Sequence, residues 1–485
     1  MKVLRCPRPR DALVPLLVPV VYVLLQLTVG TAPTVWPDTT RYARAAEQHL
    51  GAGRADAYAA ALAPFCADRA ERAAREAALR PRPPEPVSLR AAREAACLRE
   101  HGRAGDVTTL DPRYQSVFES RWAYPWTLVP FAAGFGLADG LRAHGLVTAA
   151  GCALLAFGLL RAAGLGRRAA CAGQVALLAT PLGWWSLQPL TEGLVLASVL
   201  AALWGAVGLV RGRAGRLPYG LLLAGALAGC FLVRYSTALP LCAALTAAPA
   251  AHGAARVRTG RPAAGSWWAA GIAVAGLCLT AGAVSLLALP TSEVTLQDTF
   301  TVHFTSAPVP DPWSRLWDLN SAFWPQWWAD QAAQPTYLAL TATAAWSLHR
   351  RSPALGLLTC AVALVGFAQI AAHPLVGESE RLGVLMWLPA ALGLPFLPAA
   401  LRGRRPVPVP HHRMEQRAAP APGARGTARP APTGPRPTDN PDRPRRRVTS
   451  PPSPAERPAA EQTPDPGPTQ EQPRRQTPSA TPPAT

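Results

Sequence analysis

From Ala143 to Leu401 the chain repeats one pattern, an apolar run closed by a short turn that carries arginine. Runs of about 20 apolar residues match the thickness of a hydrocarbon core, and inside lipid only helices or closed barrels satisfy their backbone groups. Composition agrees: 49% of residues are hydrophobic and 16% charged. The expected fold class is therefore all-α, a polytopic membrane protein.

The formal charge of +19 does not point to nucleic acid. That reading needs a basic face on a folded module or a recognisable motif, and neither occurs. The arginines instead cluster at the ends of the runs and beyond Leu401, where membrane topology accounts for them. Of nine cysteines, Cys6 precedes the first apolar run, and Cys152, Cys171, Cys230, Cys242, Cys278 and Cys360 lie in or beside apolar runs, as small hydrophobes do. Cys66 and Cys97 share one polar loop. In an oxidising compartment a Cys66–Cys97 disulfide is the economical expectation; two free thiols are the alternative.

The basic N-terminus "MKVLRCPRPR" precedes the run 12–32, expected to be an uncleaved anchor because more spans follow. Further spans are expected near 145–163, 168–186, 190–210, 217–233, 236–250, 267–289, 335–349, 353–372 and 382–401. The segment 122–138, "WAYPWTLVPFAAGFGLA", decides the sidedness of everything after it. If it crosses, the clusters at 161–168, 211–216, 256–261, 350–351 and 402–405 all face out. If it lies at the outer surface, all of them face in, as the positive-inside rule requires. Trp122, Tyr124 and Trp126 suit an interface. Ten spans in the cell membrane follow, with both termini cytoplasmic and residues 36–121 forming a helical extracytoplasmic loop. Residues 402–485, rich in Pro and Arg, are too poor in large apolar side chains to bury a core and are expected to be a disordered cytoplasmic tail.

This topology sorts the acids and histidines onto one face. Asp38 follows the first span in "PTVWPDTTRYAR", where it is either an N-cap for a helix from Thr39 or part of a site. Glu192 enters an apolar helix, where a carboxylate stabilises the helix dipole or serves a partner. Arg234 and Tyr235 sit between two spans on the outer side, against the charge rule, which points to an anionic partner such as Glu192, Asp38 or a phosphate. His373, Glu378, Glu380 and Arg381 precede the last span. In the long loop, Ser88 is available to cap a helix after "PRPPEP".

The order of these motifs carries a resemblance. An acid follows the first span, and a long loop leads to "R-x-x-Y-P" (Arg121 to Pro125). Then come "P-x-x-E" (Pro189 to Glu192), "L-x-R-Y" (Leu232 to Tyr235) and "E-R" (Glu380, Arg381). Over residues 12–401 the chain resembles the GT-C class of integral-membrane glycosyltransferases, especially the polyprenyl-phosphate-sugar-dependent, mannosyltransferase-like members of actinobacteria. The resemblance implies a polyprenyl-phosphate sugar donor in the bilayer and an extracytoplasmic glycan, lipid or protein acceptor. It also implies inversion at the anomeric centre, with Asp38 as base. Arg234 and Arg381 would contact phosphate, with Glu192 partnering the sugar or Arg234. Arg41, Tyr42, Arg121, Tyr124, Tyr235, His373 and Glu380 would complete the substrate-binding set. The favoured pairing sets Asp38 against Arg234. No D-x-D motif occurs there, so no cofactor or divalent metal is implied. Two rival readings are a transporter or flippase for a lipid-linked or anionic substrate, and a non-catalytic membrane scaffold.

Overall fold

The computed structural model describes residues 9–29, 33–79, 86–103, 111–212 and 215–402. Every regular element among these residues is helical. Six helices are long and apolar enough to cross a membrane, and a shorter apolar helix covers Leu13–Thr28. The expected tail falls outside the described residues beyond Arg402.

The first apolar run forms α1 (Pro9–Thr28). Helix α2 (Pro37–His49) follows at once, then α3 (Arg54–Ala78) and α4 (Pro86–Arg103). Cys66 and Cys97 are joined, pinning α3 to α4. They share a small core with Val35, Tyr58, Leu62 and Phe65. Helix α4 starts two residues before Ser88, so that serine lies in its first turn rather than at its cap.

After α5 (Pro112–Glu119), the segment expected at the membrane surface divides at Gly136. Its first part is α6 (Ala123–Phe135), only 13 residues and so about 20 Å long at 1.5 Å per residue. That is short of the length needed to span a bilayer. Gly136 sits at φ +75°, a left-handed conformation open to glycine, and ends α6. Helix α7 (Leu137–Ala162) then begins eight residues before the expected 145. A Cβ on Gly140 would lie 2.9 Å from the Ala132 backbone, so glycine is what permits α7 to pass this close to α6.

The expected span 168–186 is broken by Pro181 into α8 (Arg167–Ala179) and α9 (Pro181–Leu187). The core of the molecule is then built around α10 (Thr191–Val210), whose leucines and valines are largely buried. Helix α11 (Arg216–Arg258) merges the two expected spans at 217–233 and 236–250, with a non-helical residue, Arg234, between them. A Cβ on Gly276 would lie within 3.3 Å of both a Leu227 methyl and the Cys242 sulfur. In a straight helix those two residues would stand about 22 Å apart, so the chain folds back at Arg234 and α11 is two arms of a hairpin. Gly276 belongs to α12 (Ala264–Leu286), which packs against both arms.

Two helices then appear where no span was expected, α13 (Ser292–Phe300) and the tryptophan-rich α14 (Pro312–Ala333). The Asp311 side chain accepts the Ser314 amide proton and starts α14. Helices α15 (Thr336–Arg351), α16 (Pro353–Ala372) and α17 (Val376–Leu382) follow. Residues Gly383–Leu401 alternate short 3₁₀ and α turns, punctuated by Pro389, Pro395 and Pro398.

The arginine-bearing ends gather on one side. Arg211, after α10, donates to the carbonyl of Ala163, after α7. Gly265, in the first turn of α12, abuts the Leu209 carbonyl. Glu192 lies in the first turn of α10, and Arg211 caps its C-terminus. The acid and the arginine cluster are thus separated by the length of a 20-residue helix, about 30 Å.

Candidate functional site

The site assembles where α2 is clipped onto the loop before α10. Proline at the first position of α2 fits the helix entry, because its fixed φ is already helical and its missing N–H would be unpaired there. Trp36 is the N-cap residue, so Asp38 lies in the first turn and is not the cap of a helix from Thr39. The Thr39 hydroxyl accepts the Trp36 amide proton (3.1 Å) and donates to the Pro189 carbonyl (2.9 Å). The Thr34 amide donates to Gln188 Oε1 at 3.0 Å. The Trp36 and Trp185 rings pack with centroids 5.8 Å apart. These contacts bring Asp38 beside Glu192.

Arg381 joins the two acids. Its Nη1 donates to Asp38 Oδ2 at 3.0 Å, its Nε lies 3.5 Å from Glu192 Oε1, and Nη2 lies 2.6 Å from Glu378 Oε2. Arg234, at the turn between the arms of α11, donates from Nη1 to Glu192 Oε1 at 3.1 Å. The expected pairing of Asp38 with Arg234 is therefore corrected: Arg381 takes Asp38, and Arg234 takes Glu192. The reason is geometric, since Arg234 emerges next to the first turn of α10, whereas α17 presents Arg381 to α2. Arg121 donates to the Tyr42 hydroxyl, and the Tyr42 and Tyr124 rings meet at 4.7 Å.

Electrostatics favour the charged form of Asp38. Burial pushes the Asp38 carboxyl up, but Arg381, then Arg121 and Arg41, outweigh it and hold its pKa below the usual carboxylate value. Burial raises the Tyr42 phenol. Four arginines (41, 121, 234 and 381) act on three carboxylates (Asp38, Glu192, Glu378), a surplus of positive charge. The Arg234 Nε and the Tyr124 hydroxyl are buried without a hydrogen-bond partner among the described residues. Buried donors of this kind are uncommon, and an ordered water or a ligand atom would satisfy them.

The remaining expected residues stand further out. Arg41 is buried between the rings of Tyr114 and Phe118 (4.3 and 4.5 Å) and donates to Gln115 Oε1 at 2.8 Å, touching Asp38 only through its field. Tyr235 donates to the Pro290 carbonyl at 2.7 Å. His373 Nδ1 pairs with the Thr299 hydroxyl at 3.0 Å. Burial, reinforced by Arg381, pushes the His373 pKa down to about 4, so the ring is neutral at neutral pH. Glu380 lies on the face of α17 away from Arg381 and lines a separate aromatic cavity. Glu378 was not among the expected site residues, although its position three before Arg381 is an ion-pair spacing readable from sequence. Among the described residues, no group of three or more His, Cys, Asp or Glu side chains is arranged to hold a metal ion.

No protein-family model, curated protein or solved structure matches this chain.

Proposed function

We propose that this protein is an integral-membrane glycosyltransferase with a GT-C-like architecture. It moves a sugar, mannose being the first candidate, from a polyprenyl-phosphate donor to an extracytoplasmic acceptor with inversion. Counting α1, α7, the α8–α9 pair, α10, both arms of α11, α12, α15, α16 and residues 376–401 as crossings gives ten spans. The positive-inside rule then puts the arginine-bearing ends and both termini in the cytoplasm and Asp38 outside.

The observation that carries the reading is the ion-pair cluster itself. An acid in the helix after the first apolar span shares one guanidinium with Glu192, beside buried and incompletely satisfied arginine donors. A donor phosphate at Arg234 and Arg381 would accept charge-assisted hydrogen bonds. Drawing Arg381 off Asp38 would raise that carboxylate's proton affinity, turning a paired anion into a base. Asp38 then takes the acceptor hydroxyl proton as the oxygen attacks the anomeric carbon from the face opposite the phosphate. The carbon–oxygen bond to phosphate breaks with its electron pair. The arginines stabilise the charge left on the polyprenyl phosphate.

The test supplies radiolabelled polyprenyl-phosphate mannose, and then other polyprenyl-phosphate sugars, to the purified protein in lipid nanodiscs with cell-envelope extract. Transfer of label by the wild type, lost in Asp38→Asn, supports the proposal. Equal turnover by both proteins, or none with any donor, overturns it.

Of the helix breaks at Arg234, at Pro181 and through residues 383–401, the one at Arg234 carries a charged side chain and most favours a transporter, whose sites use discontinuous helices near the bilayer midplane. Here the break is the turn of a hairpin, level with the first turn of α10 through the Arg234–Glu192 pair. It is an end, not a midpoint, and the transferase is the better reading.

A further inference from the structure

The seven residues of α17 have two faces. Glu378 and Arg381, three apart, point together toward Asp38. Glu380 is turned about 100° per residue away from that face and enters a cavity of about 250 Å³. Three aromatic residues, Trp327, Tyr337 and Trp387, wall this cavity. Their rings are steeply inclined, Trp327 to Tyr337 at 78° and Tyr337 to Trp387 at 58°, with centroids 6.3 and 4.7 Å apart. They form walls rather than a closed stack.

The chemistry left for a ligand is specific. The Tyr337 hydroxyl already donates to the Met386 carbonyl (3.2 Å), and the Ser379 hydroxyl to the Val376 carbonyl (2.9 Å). Those hydroxyl protons are spent, so among these side chains the Gln331 amide is left to donate to a guest's oxygens. What remains is ring surface, the Gln331 amide and the Glu380 carboxylate, which has no ion pair among the described residues. No arginine, lysine or histidine lines the cavity, so an anion has nothing to bind. Aromatic walls with one carboxylate attract an organic cation, through the ring quadrupoles and the acid together.

A second cavity of about 290 Å³ shares Trp327, Tyr337 and Met386 with the first. It runs along α15 from Tyr337 to Ala345 and is lined almost wholly by apolar side chains, including Leu338, Ala342 and Phe367. Eight residues of helix are about 12 Å, room for part of an alkyl chain beside a head group held in the first cavity.

We propose that these two adjoining cavities are a binding site for an ammonium-bearing amphiphile, its cationic head between Trp327, Tyr337, Trp387 and Glu380 and its chain along α15. This site is distinct from the Asp38 cluster and does not depend on the transferase reading.

The test uses the full-length protein in phosphatidylglycerol nanodiscs and saturation-transfer NMR of each probe's methyl protons, with the signal from protein-free nanodiscs subtracted. Dodecyltrimethylammonium, kept below its micellar concentration, is compared with choline, with the uncharged isostere 3,3-dimethylbutanol and with methyl mannoside. The amphiphile is expected to bind tenfold or more tightly than choline, and the uncharged isostere not to bind. Trp387→Leu is expected to weaken the amphiphile about tenfold, the scale of one desolvated cation–π contact, and Glu380→Gln about two- to fivefold, the scale of one solvent-exposed ion pair. Glu380 is exposed, so its amide variant keeps the test valid if Trp387→Leu fails to fold. Choline binding as tightly as the amphiphile would remove the lipid assignment. Unchanged affinity in Glu380→Gln, or mannoside binding that Trp387→Leu abolishes, would overturn the cation site.

Discussion

Asp38 and Arg381, 343 residues apart in sequence, meet at 3.0 Å between Oδ2 and Nη1. Neither is fully buried, with side chains 22% and 18% exposed, and the same guanidinium reaches Glu192 and Glu378. One arginine therefore holds three carboxylates that would otherwise repel one another. Arg381→Ala should destabilise the protein by about 2–4 kcal/mol, because removing one member leaves partly buried acids unpaired. Asp38→Asn should lose only the stabilisation that ionised Asp38 gives, less than Arg381→Ala because Arg381 keeps Glu192 and Glu378, but should cost about 10²–10⁴-fold in transfer rate, the usual worth of a positioned base. Thermal unfolding and labelled-donor assays on both variants separate the two effects. A stable Arg381→Ala protein would mean the cluster is not holding the fold together.

The low pKa of Asp38 fixes the sign of its pH dependence. Its folded value lies below the unfolded one, so its stabilisation is full above the ordinary carboxylate range. It is lost as pH falls through the folded value. For the free protein, the acidic limb of kcat/KM should accordingly fall below about pH 4. Arg381→Met removes the main charge that lowers the pKa and should move that limb upward. A limb unmoved by the substitution would separate Asp38 from the rate profile.

His373 makes an independent prediction. Burial holds its ring near pKa 4, against about 6.5 in an unfolded chain. Between those values the unfolded state binds a proton that the folded state does not, so stability should fall as pH drops from 6.5 towards 4. His373→Gln should make this part of the curve shallower without altering the acid limb set by Asp38. Denaturant unfolding at a series of pH values measures it.

Much of this site was legible because its residues stand out against their surroundings. Asp38, Glu192, Arg234 and Arg381 are charges at the ends of apolar helices, where an unpaired charge is costly. Their partners were not legible. Which arginine meets Asp38 depends on the Thr39–Pro189 hydrogen bond and the Trp36–Trp185 contact, and local sequence pattern encodes neither. Proline explains several misjudged boundaries. Pro181 divides one expected span, and Pro389, Pro395 and Pro398 shorten the turns of the last. Helix α14 escaped notice because its tryptophans alternate with polar residues and give no long apolar run. Its Asp-Pro start at 311–312 was the available signal.

The disulfide should matter to the α3–α4 hairpin more than to the helical core. It closes a loop of 31 residues, for which the chain-entropy estimate is about 3–4 kcal/mol. Cys66→Ser with Cys97→Ser should leave helix content nearly unchanged while exposing residues 54–103 to limited proteolysis. Cleavage confined elsewhere would show that the bridge adds little to this hairpin.

The separation of Glu192 from Arg211 by the length of α10 makes the topology testable without a substrate. In a background with Cys6, Cys152, Cys171, Cys230, Cys242, Cys278 and Cys360 replaced, and the Cys66–Cys97 bridge kept, single cysteines are introduced at Gly51 and Gly212. Both positions have open space where a side chain would extend, and their positive φ, +95° and +61°, adds about 1–2 kcal/mol of backbone strain that a surface turn can absorb. In intact cells a membrane-impermeant maleimide should label Gly51→Cys and spare Gly212→Cys, and permeabilisation should expose both. Labelling of both sites from the same side would contradict α10 as a span. Labelling of Gly212→Cys alone would invert the whole arrangement, placing the Asp38 cluster in the cytoplasm, where an extracytoplasmic acceptor could not reach it.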